Sequence, residues 1–304
     1  MSSPPLAVKG LRKAYGAAVA VDGIDITVEQ GEIFGLLGPN GAGKTTTLEC
    51  VEGIRKPDGG SVSVMGVDPG RDTRKLYNLI GVQLQTSGLP AAMKVDEAIE
   101  FFCAYHKVEP RYDLVDRLGL KEKRRSQFVS LSTGQQRRLA LCLAVAHRPP
   151  LVLLDEPTAG LDVESRTRLH EVMKELQAEG TTIVLATHDM AEAEKMADRV
   201  SILLRGKVVA SGTPRELTAT GAGLTKISVR TEGTALQDQT VGFPGVTQRL
   251  EKEEYATFYS KDPGPTVAAI LRYVEEQGDR LVDLRVERPT LEERFLEITQ
   301  GGVA

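Results

Sequence analysis

The 304-residue sequence has no apolar run approaching the roughly 18 residues that cross a bilayer, so any membrane role must come through a partner chain. Its opening, MSSPPLAVKG, has no long apolar segment, which argues against a secretory signal. There is no basic excess either. Lys and Arg number 38 against 42 Asp and Glu, a net charge of −4, and a nucleic-acid binder would usually carry a basic stripe. No nucleic-acid partner is expected. Only three cysteines occur, Cys50, Cys103 and Cys142, far apart and odd in number. That excludes a disulfide framework and any close metal-ligand spacing, and it suits a reducing cytoplasm in which each is a small apolar residue. Internal repeats and low-complexity tracts are absent too. What remains is ordinary soluble usage, 41% hydrophobic and 26% charged, in a chain long enough for one large and one small domain.

From Leu6 to about Gly212, strands and helices alternate. The apolar runs Ile33–Leu37, Leu151–Leu154 and Thr182–Ala186 have the near-continuous character of parallel strands covered on both faces. Leu169, Val172, Met173 and Leu176 recur at helical spacing between Glu164 and Glu179, and Gly180 closes that helix. Such alternation predicts an α/β sheet. Ala7 to Val28 differs, with two β-like runs around Gly16 and Gly23 that suggest an antiparallel layer. Val95 to Leu131 is polar and mostly helical, and its basic run Lys121–Arg125 fits a solvated helix face. Past Gly212 comes a short helix at Thr213–Leu217 and a small, Gly-rich linker at Ala219–Leu224. Strands at Ile227–Arg230, Tyr255–Tyr259 and Leu281–Val286 follow, with helices at Thr266–Glu276 and after Thr290, which has capping-box spacing to Glu293. The expected division is 1–222 for the larger domain and 223–304 for a small α+β domain.

The stretch Gly38-Pro39-Asn40-Gly41-Ala42-Gly43-Lys44-Thr45 fits G-x-x-x-x-G-K-[ST]. It follows an apolar strand and precedes a helical run beginning at Thr46, which is the context a phosphate-binding loop needs. Glycines let successive N–H groups converge on phosphate oxygens, and the helix adds its positive end. Lys44 supplies charge and the Thr45 hydroxyl can ligate Mg²⁺. A second strand ends in two acids, Asp155 and Glu156. Asp155 can reach a metal held by the loop, and Glu156 can orient and deprotonate an attacking water.

Further motifs make the pattern specific. Leu131-Ser-Thr-Gly-Gln135 resembles the signature of ABC ATPases and lies about twenty residues before Asp155-Glu156, as it does in that family. Pro157–Asp162, Thr187-His188-Asp189, Gln85 and Tyr15 fall in family order across about residues 6 to 215. The resemblance implies a P-loop NTPase fold with a helical subdomain at about residues 90–150. It implies adenine stacking on Tyr15, and Mg²⁺ or water contact by Gln85, for which Gln83 competes. His188 would contact the γ-phosphate. Ser132, Gly134 and Gln135 would cap the ATP held by a second copy in a head-to-tail homodimer, with Asp162 at the interface. Thr133 departs from the commoner glycine there. ATP and Mg²⁺ are the implied cofactors.

The ending Thr290–Thr299 and the small domain before it resemble those of bacterial drug-resistance and antibiotic-export ATPases of the ABC-2 type. The resemblance implies a motor subunit for an exporter of drug, antibiotic, lipid or polysaccharide. It would act with a separate integral-membrane permease, at the inner face of the membrane. An importer ATPase, or a soluble relative acting in translation, DNA repair or iron–sulfur assembly, is the alternative.

Overall fold

Apolar runs that leave no polar face must be covered from both sides, and this requirement sets the centre of the molecule. The computed structural model describes residues 3–85, 88–219, 224–237, 241–252 and 254–301. Strands β1 (Leu6–Tyr15), β2 (Ala18–Val28) and β3 (Ile33–Leu37) are followed by α1 (Lys44–Val51), β4 (Gly59–Val64), α2 (Thr73–Leu79) and β5 (Ile80–Gln83). Then come α3 (Val95–Tyr105), α4 (Tyr112–Arg117), α5 (Thr133–Val145), β6 (Leu151–Asp155), α6 (Val163–Ala178) and β7 (Thr182–Thr187). The series α7 (Met190–Met196), β8 (Arg199–Leu204) and β9 (Lys207–Gly212) completes the first of two compact units, Met1–Pro214 and Arg215–Ala304.

The main sheet has the order β5-β6-β7-β3-β8-β9, parallel except for the last pair. Successive residues of β6 enter two different cores. Val152 and Leu154 join residues of α3, α5 and α6 on one face, while Leu151 and Leu153 join α1 and the antiparallel sheet β2-β1-β4 on the other. The alternation repeats in β7, with Ile183 and Leu185 on the first face and Val184 and Ala186 on the second. All three cysteines are buried and unpaired. The basic run at Lys121–Arg125 holds a single exposed 3₁₀ turn, Lys121–Lys123, after which Arg124 pairs with Asp96 at 2.7 Å and lies over the Tyr112 ring.

The second unit begins within α8 (Pro214–Ala219) and contains β10 (Thr225–Thr231), β11 (Val246–Lys252), β12 (Tyr255–Ser260), α9 (Pro263–Glu276), β13 (Leu281–Glu287) and α10 (Leu291–Gly301). Its sheet has the order β11-β12-β10-β13, all antiparallel. Ile270 and Val274 of α9 pack with Ile227, Val229 and Phe258. Thr290 caps α10 as its spacing predicts: its hydroxyl accepts from Glu293 N at 3.2 Å, and its own N–H donates to the Glu293 carboxylate at 3.0 Å. One strand, β11, had no counterpart in the sequence reading. Most of the expected linker, residues 220–223, and the expected boundary at 222 lie outside the described residues.

At the far end of α1, Glu52 is buried, and desolvation aided by the nearby charge of Asp155 pushes its carboxyl up to about 7. Its folded pKa lies above the ordinary 4.5, so the folded state holds this proton more tightly than the unfolded chain. The contribution to stability is complete below that ordinary value and is lost as pH rises through about 7. Replacing Glu52 with Gln should therefore flatten the decline in thermal stability between about pH 5 and 8, by up to about 3 kcal/mol. Parallel melting curves with pH for both proteins check this, and indistinguishable curves would refute it.

Candidate nucleotide site

The site forms where β3 and β6 end on either side of β7 in the main sheet, each leading into a segment with special backbone geometry. After β3, residues 38–43 curl before α1, and Gly43 stands at the N-cap with φ 109°. A Cβ there would sit 2.5 Å from the Ala20 carbonyl oxygen, so the loop can hug β2 only because the residue is glycine. Ala42 is buried, its N–H donating to the Pro39 carbonyl at 3.1 Å and its carbonyl accepting from Gly206 N at 3.0 Å. Lys44, also buried, donates to the carbonyls of Gly38 at 2.8 Å and Pro39 at 3.3 Å. The ammonium is thereby folded back into its own loop, with the α1 N-terminal N–H groups beside it.

β6 delivers the two acids. Asp155 Oδ2 accepts from the Thr45 hydroxyl at 2.8 Å, while its Oδ1 is buried without a hydrogen-bond partner. Burial holds this carboxyl above its ordinary range, against the opposing hydrogen bond from Thr45. An orphaned carboxylate oxygen beside a hydroxyl is a hard, all-oxygen donor pair, which suits Mg²⁺. Glu156 then leaves the strand in the left-handed region at φ 50°, its N–H bonded to the Ala186 carbonyl at 2.9 Å. That turn aims its buried carboxylate at Lys44, 3.4 Å from Nζ, and at His188, whose Nδ1 is 2.7 Å from Oε2. Whenever the carboxylate is ionised it can only accept, and Nδ1 is then the donor of this contact. The His188 side chain is half exposed and presents the other ring edge to solvent.

Asn40, Gly41, Gly43, Lys44, Thr45, Thr46, Gln85 and Glu156 share one cleft of about 350 Å³. Ala20 lines it as well and was missed by the sequence reading, because β2 offers no motif and reaches the loop only through folding. Strand β5 stops at Gln83, whose amide is buried, and Gln85 emerges exposed two residues later. Tyr15 does not line the cleft. Its ring, 42% exposed at the end of β1, lies beneath Arg55 at 5.1 Å and Lys13 at 5.8 Å.

Ser132, Gly134 and Gln135 also lie outside the cleft. Ser132 caps α5, accepting from Gln135 N at 3.3 Å, and the Gln135 side chain accepts from Ser132 N at 3.0 Å. Thr133 is exposed and has room for its side chain. Gly134 has none: a Cβ there would lie 2.5 Å from Ser165 Oγ. Asp162 caps α6, accepting from Ser165 N at 2.7 Å, and that backbone bond holds its carboxyl below the usual range.

A glycine-rich loop feeding a helix, a buried lysine and a neighbouring strand that ends in paired acids define a P-loop nucleoside triphosphatase. Comparison with known proteins narrows the class. Residues 21–159 match the ABC transporter family model. The chain is 34% identical over 307 residues to a Nod factor export ATP-binding protein I of Ralstonia nicotianae, covering 98% of this chain and 94% of that one. It is 32% identical to the daunorubicin resistance ATP-binding protein DrrA3 of Streptomyces coeruleorubidus, over 98% and 97% of the two chains. It is 30% identical to the linearmycin resistance ATP-binding protein LnrL of Bacillus subtilis, over 97% and 98%. A solved ATP-binding subunit of an ABC transporter superposes with a TM-score of 0.65 at 28% identity, covering 70% of this chain and 91% of that one. The chain belongs to the family of ABC transporter ATP-binding proteins, and it is an ATPase.

Removing the Lys44 ammonium takes a charged donor from the phosphate site and leaves Glu156 with His188 alone. K44A is expected to weaken ATP binding by roughly 10- to 100-fold. Titration with a fluorescent ATP analogue measures it, and unchanged affinity would contradict the assignment of the loop.

Proposed function

We propose that this chain is the ATP-hydrolysing motor of an ABC-2-like exporter whose permease is a separate polypeptide. The observation that carries the reading is the end-to-end likeness to export and resistance ATP-binding proteins, which spans 97–98% of this chain and so includes the C-terminal unit. Among the described residues no helix is long and apolar enough to cross a membrane. The export path therefore belongs to a partner, and the chain works on the cytoplasmic face against it.

In this reading the loop N–H groups and Lys44 hold the triphosphate, and Tyr15 offers its exposed ring face to adenine. Thr45 and Asp155, with Gln85 at the cleft edge, would hold Mg²⁺. When bound, the ion neutralises phosphate charge. Glu156 takes a proton from the attacking water, and His188, fixed through Nδ1, turns Nε2 toward the γ-phosphate. The Ser132–Gln135 helix start faces the nucleotide of a second copy with its positive end. Two such contacts close a symmetric head-to-tail dimer, with Asp162 at the seam. A dimeric form is on record for a bacterial ABC transporter cassette of 25% identity and TM-score 0.63. ATP drives closure only through its greater affinity for the closed pair.

A half-open cleft of about 370 Å³ supports the coupling step. It lies between β5, α3 and α5 and includes Leu84, the neighbour of Gln85; Tyr77, Leu84, Phe102, Tyr105 and Phe128 give it an apolar wall. Gln83 and His147 line it with buried nitrogen and oxygen atoms that have no hydrogen-bond partner. An apolar groove with unsatisfied polar atoms suits a helical segment of the permease that brings polar groups of its own.

E156Q is expected to keep ATP affinity, lose turnover by about 10²–10⁴, and accumulate an ATP-bound dimer. Steady-state hydrolysis and size-exclusion chromatography with ATP read both, and full turnover would remove the glutamate from its role. Tyr105→Glu, in the groove wall, should leave hydrolysis by the isolated chain within about twofold. It should also abolish co-purification of the multi-span membrane protein. Retained co-purification would place the docking surface elsewhere.

A further inference from the structure

Three side chains that the catalytic reading leaves unused meet in the interior. Thr158 Oγ1 donates to Glu192 Oε1 at 2.6 Å, and His170 Nε2 stands 2.9 Å from the same oxygen. Thr158, His170 and Glu192 are 5%, 6% and 4% exposed. A buried carboxylate between a hydroxyl and an imidazole is poor value as stabilisation, since apolar residues of the same volume often do as well. What distinguishes this trio is its placement. Thr158 lies two residues beyond Glu156. Glu192 lies in the first turn of α7, four residues beyond His188. His170 belongs to α6, which begins at the Asp162 cap.

The trio therefore joins the continuations of β6 and β7 to the helix that follows one of them. Glu156 and His188, which touch at 2.7 Å, lie at the two strand ends. Glu156 also holds a left-handed backbone that persists only where its surroundings over-determine it. Downstream, Ala159 N donates to the Glu156 carbonyl at 3.3 Å and Leu161 N to the Thr158 carbonyl at 3.1 Å, so the segment from Glu156 to Asp162 is a series of tight turns. It is held at its far end by the α6 cap and, at its middle, by Glu192. The partly exposed Arg166–Asp189 pair, at 3.7 Å, ties the same two helices nearer the surface.

We infer that Thr158, Glu192 and His170 are positioning residues. They fix the Glu156 carboxylate relative to His188 and set the path of the segment that ends at Asp162. The inference rests on the reading of Glu156 as the base. A displacement of the order of 1 Å at a reacting group can cost about 10²-fold in rate. Loosening the trio should therefore lower turnover while nucleotide binding, made by the loop on the other strand, is spared.

The test uses the full-length chain. T158V removes the hydroxyl and keeps the shape. It is expected to reduce kcat about tenfold or more, with KM for ATP and ATP affinity within about twofold. T158S, which restores the hydroxyl, should recover most of the loss. E192M, which removes the acceptor and keeps the bulk, should resemble T158V, and the double variant should be no slower than the slower single one, because both cut one interaction. Three results would overturn the inference: T158V with full kcat, a loss that T158S does not recover, or kcat and affinity falling together with the folded fraction. E156Q separates the two layers. Turnover surviving in E156Q sinks the base assignment, whereas turnover lost in E156Q but intact in T158V sinks only the positioning role.

Discussion

Two carboxylates at the end of a wholly buried strand are the constraint around which this molecule is arranged. Asp155 and Glu156 are nearly removed from water, and neither would be tolerated there as an isolated charge. The fold answers with a hydroxyl from Thr45 for the first, and the Lys44 ammonium and the His188 ring for the second. The answering groups come from the start of α1 after β3 and from the residue after β7, so the strand order is also the electrostatic design. Placing β3 and β6 on either side of β7 brings the loop lysine and the histidine to Glu156, and the Thr45 hydroxyl to Asp155.

In the proposed function, binding and turnover are separable for the same reason. The groups that would grip phosphate belong to the β3–α1 junction, whereas those that would act on water belong to the ends of β6 and β7. Asp155 bridges the two sets through Thr45. The backbone turn at Glu156 makes the split possible, because consecutive residues of one strand would otherwise point to opposite faces. Left-handed geometry at Glu156 redirects its side chain toward the side that Lys44 occupies.

Much of this was legible in the sequence. Parallel strands covered on both faces read as unbroken apolar runs, and β3, β6 and β7 were found on that ground. The loop has a fixed spacing, and the capping boxes at Ser132 and Thr290 are local, so one stretch of chain contains the whole signal. β11 was not legible. It is an edge strand whose run after Val246, TQRLEK, shows no apolar alternation. Ala20, Thr158, His170 and Glu192 escaped for a different reason: their meaning lies in contacts between residues far apart in the chain. The contrast between buried Gln83 and exposed Gln85 depends on where β5 stops, a boundary of the kind that propensity leaves loose.

Helix α1 has one more consequence. It begins in the phosphate loop, and Glu52, the residue after its last turn, lines the apolar groove beside α3 and α5. Eight residues at 1.5 Å each make a rod of about 12 Å. Nucleotide cradle and groove floor are thus opposite ends of one stiff lever, too short to bend. A tilt imposed at the first turn reaches the groove without passing through any loop.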